Sequence, residues 1–447
     1  MKKTIIISIV TTLLILGGCA YYNTFFNAKK FFKEAEDERK KSKDDQMPSS
    51  ARQKYEQAIK KASKLLEFYP DSKYVDDALF LLGKSFYYQT EYRKAKRKFE
   101  ELIQNYPESE FIPEARLWLG KTHTELRDYE TAERNFQSIM TEKADREIID
   151  EAQFLLGNLH FHKEDYIRAV GEYEIAAKNA KDKSMRSQAY YRMGECHLEL
   201  KDYAAAATAF KKEKKYSTTP ESEFEAQFKA GLANKELKQY DRAIEIFTDL
   251  LGDFNNEENW PLCELEIAHC LYHKGEVSNA IEWYESITQN ENKRSTQAKD
   301  ASAKAYYQLG YIYQMDRSDY EQAKEYYDLS VKEYSRSEVA EAAKASSTNV
   351  QNLLALKKDI LEQEKRIAAG DSVAAAMDSL EVDSALAALE NPQDLLDSTL
   401  VDSTLQDSLL QDSLGFNQNR DDLFPDDELE NRRNQQNKGP QKFALKT

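Results

Sequence analysis

YPDSKYVDDALFLLGKSFYYQTEYRKAKRKFEELIQNYPESEFIPEARLWLG, Tyr69 to Gly120, holds one full period of this chain and the start of the next. Its opening Tyr69-Pro70-Asp71-Ser72 returns 37 residues later as Tyr106-Pro107-Glu108-Ser109, and Gly83 returns as Gly120. Outward from there, Gly157, Gly194 and Gly231 keep the step of 37, Ala268 continues it, and Gly310 follows after 42. Twelve residues after each of the first six stands an alanine: Ala95, Ala132, Ala169, Ala206, Ala243 and Ala280. Four further on is a ring: Phe99, Phe136, Tyr173, Phe210, Phe247 and Tyr284. Three before each alanine stands Tyr92, Tyr129, Tyr166, Tyr203 or Tyr240, with Val277 breaking the column. In the last period Ala323 and Tyr327 keep their mutual spacing but slip by one against Gly310.

A fixed period of this length is the mark of a repeat architecture. Each period reads as two amphipathic helices, with apolar residues at i, i+3, i+4 and i+7. The Gly on the first helix and the Ala on the second remove bulk where the two cross. The Tyr before the Ala fills the crevice at the turn, and the later ring packs between repeats. Thr90-Glu91-Tyr92, Arg127-Asp128-Tyr129 and Lys201-Asp202-Tyr203 supply the turns within pairs. The Tyr-Pro-acid-Ser stretches stop one helix and cap the next.

These columns resemble the tetratricopeptide (TPR) family, with Gly at its eighth position, Ala at its twentieth, an aromatic at its twenty-fourth and Pro at its thirty-second. The resemblance covers Ala51 to Ser337 and implies an all-α, right-handed solenoid of helical hairpins. Within that family, Tyr69–Gly120 looks like the periplasmic group that includes the lipoprotein subunit of the β-barrel assembly machinery (BamD-like); the TPR partner of the Tol–Pal system is similar. That group usually has five repeats, whereas this chain shows seven over 71–337. Residues 19–70 read as an anchor and a degenerate first hairpin, in which Ser42–Ser50 replaces a tight turn. Residues 338–369 read as a helix capping the last repeat, since terminal repeats need a polar outer face.

Residues 1–18 read as a signal peptide: Lys2 and Lys3 precede an apolar run from Ile5 to Leu16, too short to span a bilayer. Leu16-Gly17-Gly18-Cys19 looks like a lipobox, which implies acylation (palmitate-type chains) at Cys19. By the same resemblance, Ala20 is not the Asp of inner-membrane retention, so the expected location is the periplasmic face of the outer membrane.

The formal charge of −16 argues against nucleic acid, whose binding relies on Lys and Arg. From Asp371 onward there are 16 acidic and 6 basic residues, so most of the acidity belongs to the end of the chain. There, from Leu395, Asp-Ser pairs recur every five residues, a period that gives neither helix nor strand a coherent apolar face. Residues 370–447 are therefore expected to be an acidic disordered tail. Cys263 and Cys270, seven apart on one helix, stand beyond disulfide reach and read, with Cys196, as buried free thiols.

Neither a phosphate loop nor a nucleophile motif occurs in the sequence. His123, His160 and His197 share one repeat position, and packed helices stand too far apart for such residues to share a metal. No enzyme activity, cofactor, metal or small-molecule substrate is expected. The family resemblance implies a concave groove lined by first helices at positions five, nine and twelve. Positions five and twelve supply the candidate peptide- or protein-binding residues Phe80, Tyr87, Phe154, Phe161, Tyr191, Phe228, Tyr272 and Tyr307. Aromatics there also serve packing, so both readings stand. Position nine (Lys84, Lys121, Asn158, Glu195, Leu232, His269, Tyr311) lacks the basic/Asn clamp that some TPR domains use for C-terminal carboxylates. The expected function is a membrane-anchored periplasmic scaffold that holds envelope proteins, foremost in outer-membrane protein assembly. The alternatives are a division factor of the Tol–Pal-associated type and a component of a secretion or gliding apparatus.

Overall fold

The computed structural model describes residues 23–42, 47–141, 143–290 and 295–368. The signal peptide, Cys19 and the acidic tail therefore lie outside the described residues. Those described form seventeen α-helices and one 3-10 turn, with no strand among them. None of these helices is long and apolar enough to cross a membrane.

The chain divides into two compact units at Cys196/His197. The first begins with α1 (23–41) and α2 (Ser49–Phe68). Three close helix pairs follow: α3 (Val75–Tyr88) with α4 (Tyr92–Asn105), α5 (Ile112–Glu125) with α6 (Tyr129–Thr141), and α7 (Arg146–His162) with α8 (Tyr166–Asn179). The division falls inside α9 (Lys183–Glu199). The second unit continues through α10 (Tyr203–Tyr216), α11 (Pro220–Glu236), α12 (Tyr240–Leu251), α13 (Trp260–His273) and α14 (Val277–Gln289). It ends with α15 (Thr296–Met315), α16 (Tyr320–Glu333) and the 29-residue α17 (Ala340–Ala368).

The repeating columns have a direct physical meaning. Ala95, Ala132, Ala169, Ala206, Ala243, Ala280 and Ala323 are fully buried, as are the rings from Phe99 to Tyr284. Gly83, Gly120, Gly157 and Gly231 each face the ring sixteen residues later, and Gly310 the ring seventeen later, on the second helix of their own pairs. A Cβ added to Gly157 or Gly231 would stand 2.5 Å from Tyr173 or Phe247, closer than real contacts allow. Gly83, Gly120 and Gly310 face Phe99, Phe136 and Tyr327 in the same way. Beyond packing between repeats, the ring also lies on its own hairpin's glycine, because only a missing side chain lets it approach that backbone. Two of the three Tyr rings bond to the facing helix through their hydroxyls, whereas the Tyr284 hydroxyl is buried without a hydrogen-bond partner. Tyr173 donates to Asn158 Oδ1 at 2.7 Å and Tyr327 to Gln314 Oε1 at 2.9 Å.

Three residues join the helices of each regular pair, and the middle one takes positive φ. It is Thr90, Arg127, Glu164, Lys201, Lys238 or Gly275, with φ from 55° to 88°. Its N–H and that of the next residue bond back into the helix just ended, as in Thr90 N to Tyr87 O (2.8 Å) and Glu91 N to Phe86 O (2.9 Å). That pattern satisfies carbonyls the helix would otherwise leave open. The following residue starts the second helix, and where it is Asp its carboxylate caps it: Asp165 accepts from Arg168 N and Asp202 from Ala205 N. In the last pair one more residue enters the turn, so that Asp319 N reaches back six positions to Tyr313 O. That insertion accounts for the slip of Ala323 and Tyr327 against Gly310.

Between pairs the expectation of direct capping needs correction. The hydroxyls of Ser72 and Ser109 accept from the N–H groups of Tyr74 and Phe111, which stand just before α3 and α5. Neither serine reaches the first helical turn itself; both brace the bend that follows the proline. Apolar packing is local throughout, passing from α1–α5 to α5–α7 in the first unit and from α11–α15 to α15–α17 in the second.

Candidate functional site

Successive first helices turn one face to a common concavity in the first unit. A cleft of about 600 Å³ opens there between α1, α3, α5 and the start of α7. Tyr87, Tyr88, Leu117, Trp118 and Ile148 form its apolar surface, and Glu36, Arg39, Lys40, Lys84, Glu114, Lys121 and Glu151 are among the charged residues around it. Trp118 is the centre. Tyr87 and Tyr88 meet its ring edge-on at 5.2 and 5.5 Å between centroids. The ammonium groups of Lys84 and Lys121 lie 4.7 and 4.5 Å from its ring centre, within reach of a cation–π attraction.

Each lysine is also tied to the next repeat. Lys84 Nζ pairs with Glu114 at 3.3 Å and Lys121 Nζ with Glu151 at 2.5 Å, both across a sequence gap of 30. Trp118 Nε1 donates to the same Glu114 oxygen at 3.3 Å. On the α1 side Arg39 stacks 4.6 Å over Tyr88, and its Nε pairs with Glu36 at 3.5 Å. Tyr55 donates to that same Glu36, and burial together with the carboxylate pushes its phenol well above the usual range, so it stays a donor. These bonds hold the walls before any partner arrives, and a preset geometry lowers the ordering cost of association.

Of the eight candidate residues read from sequence, only Tyr87 lines this cleft. Tyr87 is itself 4% exposed, its hydroxyl bonded to Glu125 Oε1 at 3.3 Å. Phe80, Phe154, Phe228 and Tyr307 keep 8% exposure or less, each against its own hairpin's ring at centroid distances of 5.4 to 6.2 Å. Burial gives these four a packing role, because position five points at the column that covers the glycine. Phe161, Tyr191 and Tyr272 are half-buried. Phe161 lies under the Arg192 guanidinium at 5.7 Å, and Tyr272 donates to Asp316 at 3.1 Å.

Sequence reasoning passed over Trp118, Tyr88 and the two position-nine lysines. A readable signal existed: Lys84 with Glu114 and Lys121 with Glu151 repeat one spacing, one period apart.

No group of three or more His, Cys, Asp or Glu that could hold a metal occurs among the described residues. His123 and His160 are buried at 2% exposure, and burial lowers the pKa of both, as it does for His197. His123 Nδ1 pairs with Asp128 at 3.0 Å, whereas His160 Nδ1 has no hydrogen-bond partner. Cys196, Cys263 and Cys270 are buried free thiols.

Sequence-family models described as tetratricopeptide repeat match residues 77–109, 154–220, 225–255 and 303–335. No curated protein sequence matches the chain. Among solved structures, the C-terminal part of a TPR repeat-containing protein from Cytophaga hutchinsonii is similar at 17% identity, over 59% of this chain and 98% of that one, with a TM-score of 0.47. A TPR protein from Parabacteroides merdae is similar at 15% identity, over 61% and 98%, with a TM-score of 0.36. With glycine, alanine and ring columns built into paired helices, this chain carries tetratricopeptide repeats at the four matched segments, which lie in both units.

Proposed function

We propose that this protein is a lipid-anchored scaffold on the periplasmic face of the outer membrane, which grips a partner protein in the Trp118 cleft during assembly of outer-membrane proteins. The cleft is the observation that carries the reading. It offers an aromatic floor for an apolar anchor residue, ringed by charges of both signs that set the orientation of the bound segment. Its walls are helix faces of α1, α3, α5 and α7. The anchor rests on the lipobox at Cys19, and the choice of complex rests on the resemblance of Tyr69–Gly120 to the BamD-like group.

Affinity capture from detergent-solubilised envelopes tests both parts. The wild-type chain should bring down components of the barrel-assembly machinery, and Trp118→Ala should lose them. Because Trp118 is only 8% exposed, that variant should also melt lower. The exposed rim variant Lys40→Glu, with its melting temperature little changed, should therefore weaken capture as well. Capture of division or secretion proteins in their place would overturn the assignment to barrel assembly. Capture that is equal for wild type and Trp118→Ala would overturn the cleft. Separately, Cys19→Ser should move the protein from the membrane fraction to the soluble periplasm; retention in the membrane would overturn the anchor.

A further inference from the structure

The outer face of α8 departs from the period. Ile167, Gly171 and Ile175 stand at steps of four and so share one side of this helix. Ile167 is 74% exposed and Ile175 44%. A Cβ added to Gly171 would meet nothing within 4 Å, so the fold itself has no need of a glycine there. An exposed glycine inside a helix only weakens it. The other regular pairs provide the comparison. At whole periods before and after, Arg97, Arg134, Thr208, Glu245 and Glu282 hold the place of Gly171. Apart from Ala204, the places of both isoleucines are polar in those helices too. This face is separate from the Trp118 cleft, to which α8 contributes no residue.

The charges around the face are arranged symmetrically about Gly171. When two copies of a helix run antiparallel and cross at one residue, positions equally far before and after it stand at the same height. Ile167 then stands level with Ile175 of a second copy, and Arg168 with Glu174. Glu164, in the turn just ahead of α8, stands level with Lys178. From Lys163 to Asn179 no like charges stand level. Within one chain Arg168 pairs with Asp165, and Lys178 with Glu174 at 2.8 Å. The two basic side chains nevertheless stay 63% and 66% exposed, open to a second chain.

We propose that α8 is a self-association surface, on which a second copy of this chain docks antiparallel about a two-fold axis at Gly171. The missing side chain lets the two backbones approach, and the isoleucines fill the space on either side. An unrelated protein would not account for an order of charges that complements itself. A single crossing of two helices buries little area, which places this contact among the transient ones.

The test traps the contact through one introduced thiol in the full-length chain, where Cys196, Cys263 and Cys270 are buried. In Gly171→Cys the thiol meets its own copy at the axis. A short bis-maleimide should therefore yield covalent dimers about tenfold faster than in Arg134→Cys, the same place one period earlier. Adding Arg168→Glu to Gly171→Cys should cut the yield about tenfold, since it sets Glu against Glu174 at two symmetric places. Adding Glu174→Arg as well should restore it. All four positions are exposed, so these variants should melt as the parent does. Equal yields from Gly171→Cys and Arg134→Cys would overturn the proposal. Dimers that Arg168→Glu leaves unchanged would overturn it too, because they would mark a contact in another register.

Discussion

At the scale of single residues, the turns hold a reserve of stability. Thr90, Arg127, Glu164, Lys201 and Lys238 adopt φ between 55° and 60°, where a Cβ crowds the following carbonyl. Only at Gly275 does the residue suit the conformation. Replacing any of the five by Gly should stabilise the protein by about 0.5–1 kcal/mol, net of the extra freedom glycine brings to the unfolded chain. Gly275→Ala should cost a similar amount, and denaturant titration reads both. The opposite rule governs Gly157. Its substitution by Ala should cost about 1–3 kcal/mol, because the new methyl meets the buried Tyr173 ring. Tyr173→Leu in the same chain should recover part of that loss, seen as non-additive melting shifts. The glycine column was plain in the sequence because one residue type recurs at a fixed step. The strained turn was not, because four different residue types fill its five non-glycine places and only the backbone is conserved in shape.

At the scale of elements, adjacent first helices are tied by lysine–carboxylate pairs, and the second unit buries one of them. Lys235 of α11 meets Glu266 of α13 at 2.6 Å, with side chains 10% and 6% exposed. Burial opposes charge on Glu266, yet Lys235 and His269 outweigh it and hold the carboxyl far below its usual range. Lys235→Met leaves that carboxylate buried with only His269 beside it, at a cost of about 3–5 kcal/mol. Lys235→Met with Glu266→Leu should be close to neutral, which a double-mutant cycle by calorimetry would establish. Helix-to-helix ties of this kind are legible only once the period is known, since partners stand about thirty residues apart and look unrelated in a linear reading. Position five was ambiguous in the sequence for a related reason: an amphipathic pattern says that a face is apolar, without saying whether the protein itself or a partner covers it.

For the whole molecule, acidity is the condition that tests this packing. His123, His160 and His197 have pKa values lowered by burial, so the folded state holds them neutral at pH 7. Groups of depressed pKa stabilise the fold above their unfolded value, about 6.5 for histidine, and that stability drains as pH falls. Asp77, Asp150, Glu172 and Glu264 work in the other direction, since burial raises them, but their effect belongs to more acidic solutions. The melting temperature should therefore fall between pH 7 and pH 5, and His123→Phe with His160→Phe should flatten the slope. The second substitution also removes the unpartnered His160 Nδ1. The pairing of helices was readable from spacing, whereas the division inside α9 carries no mark in composition, because the same columns run through it unchanged.

Each of these glycines and the ring that covers it are sixteen or, at Gly310, seventeen residues apart, so every such hairpin closes through a short loop at small entropic cost. Comparable starting points for folding thus recur along the chain, and none depends on its far end. The same locality makes the period a unit of descent. A gene that gains or loses one stretch of 37 codons between equivalent turns adds or removes a glycine together with its own ring, and leaves every other such pair intact. The length of the array is consequently free to drift by whole steps, while the residues inside a step are not.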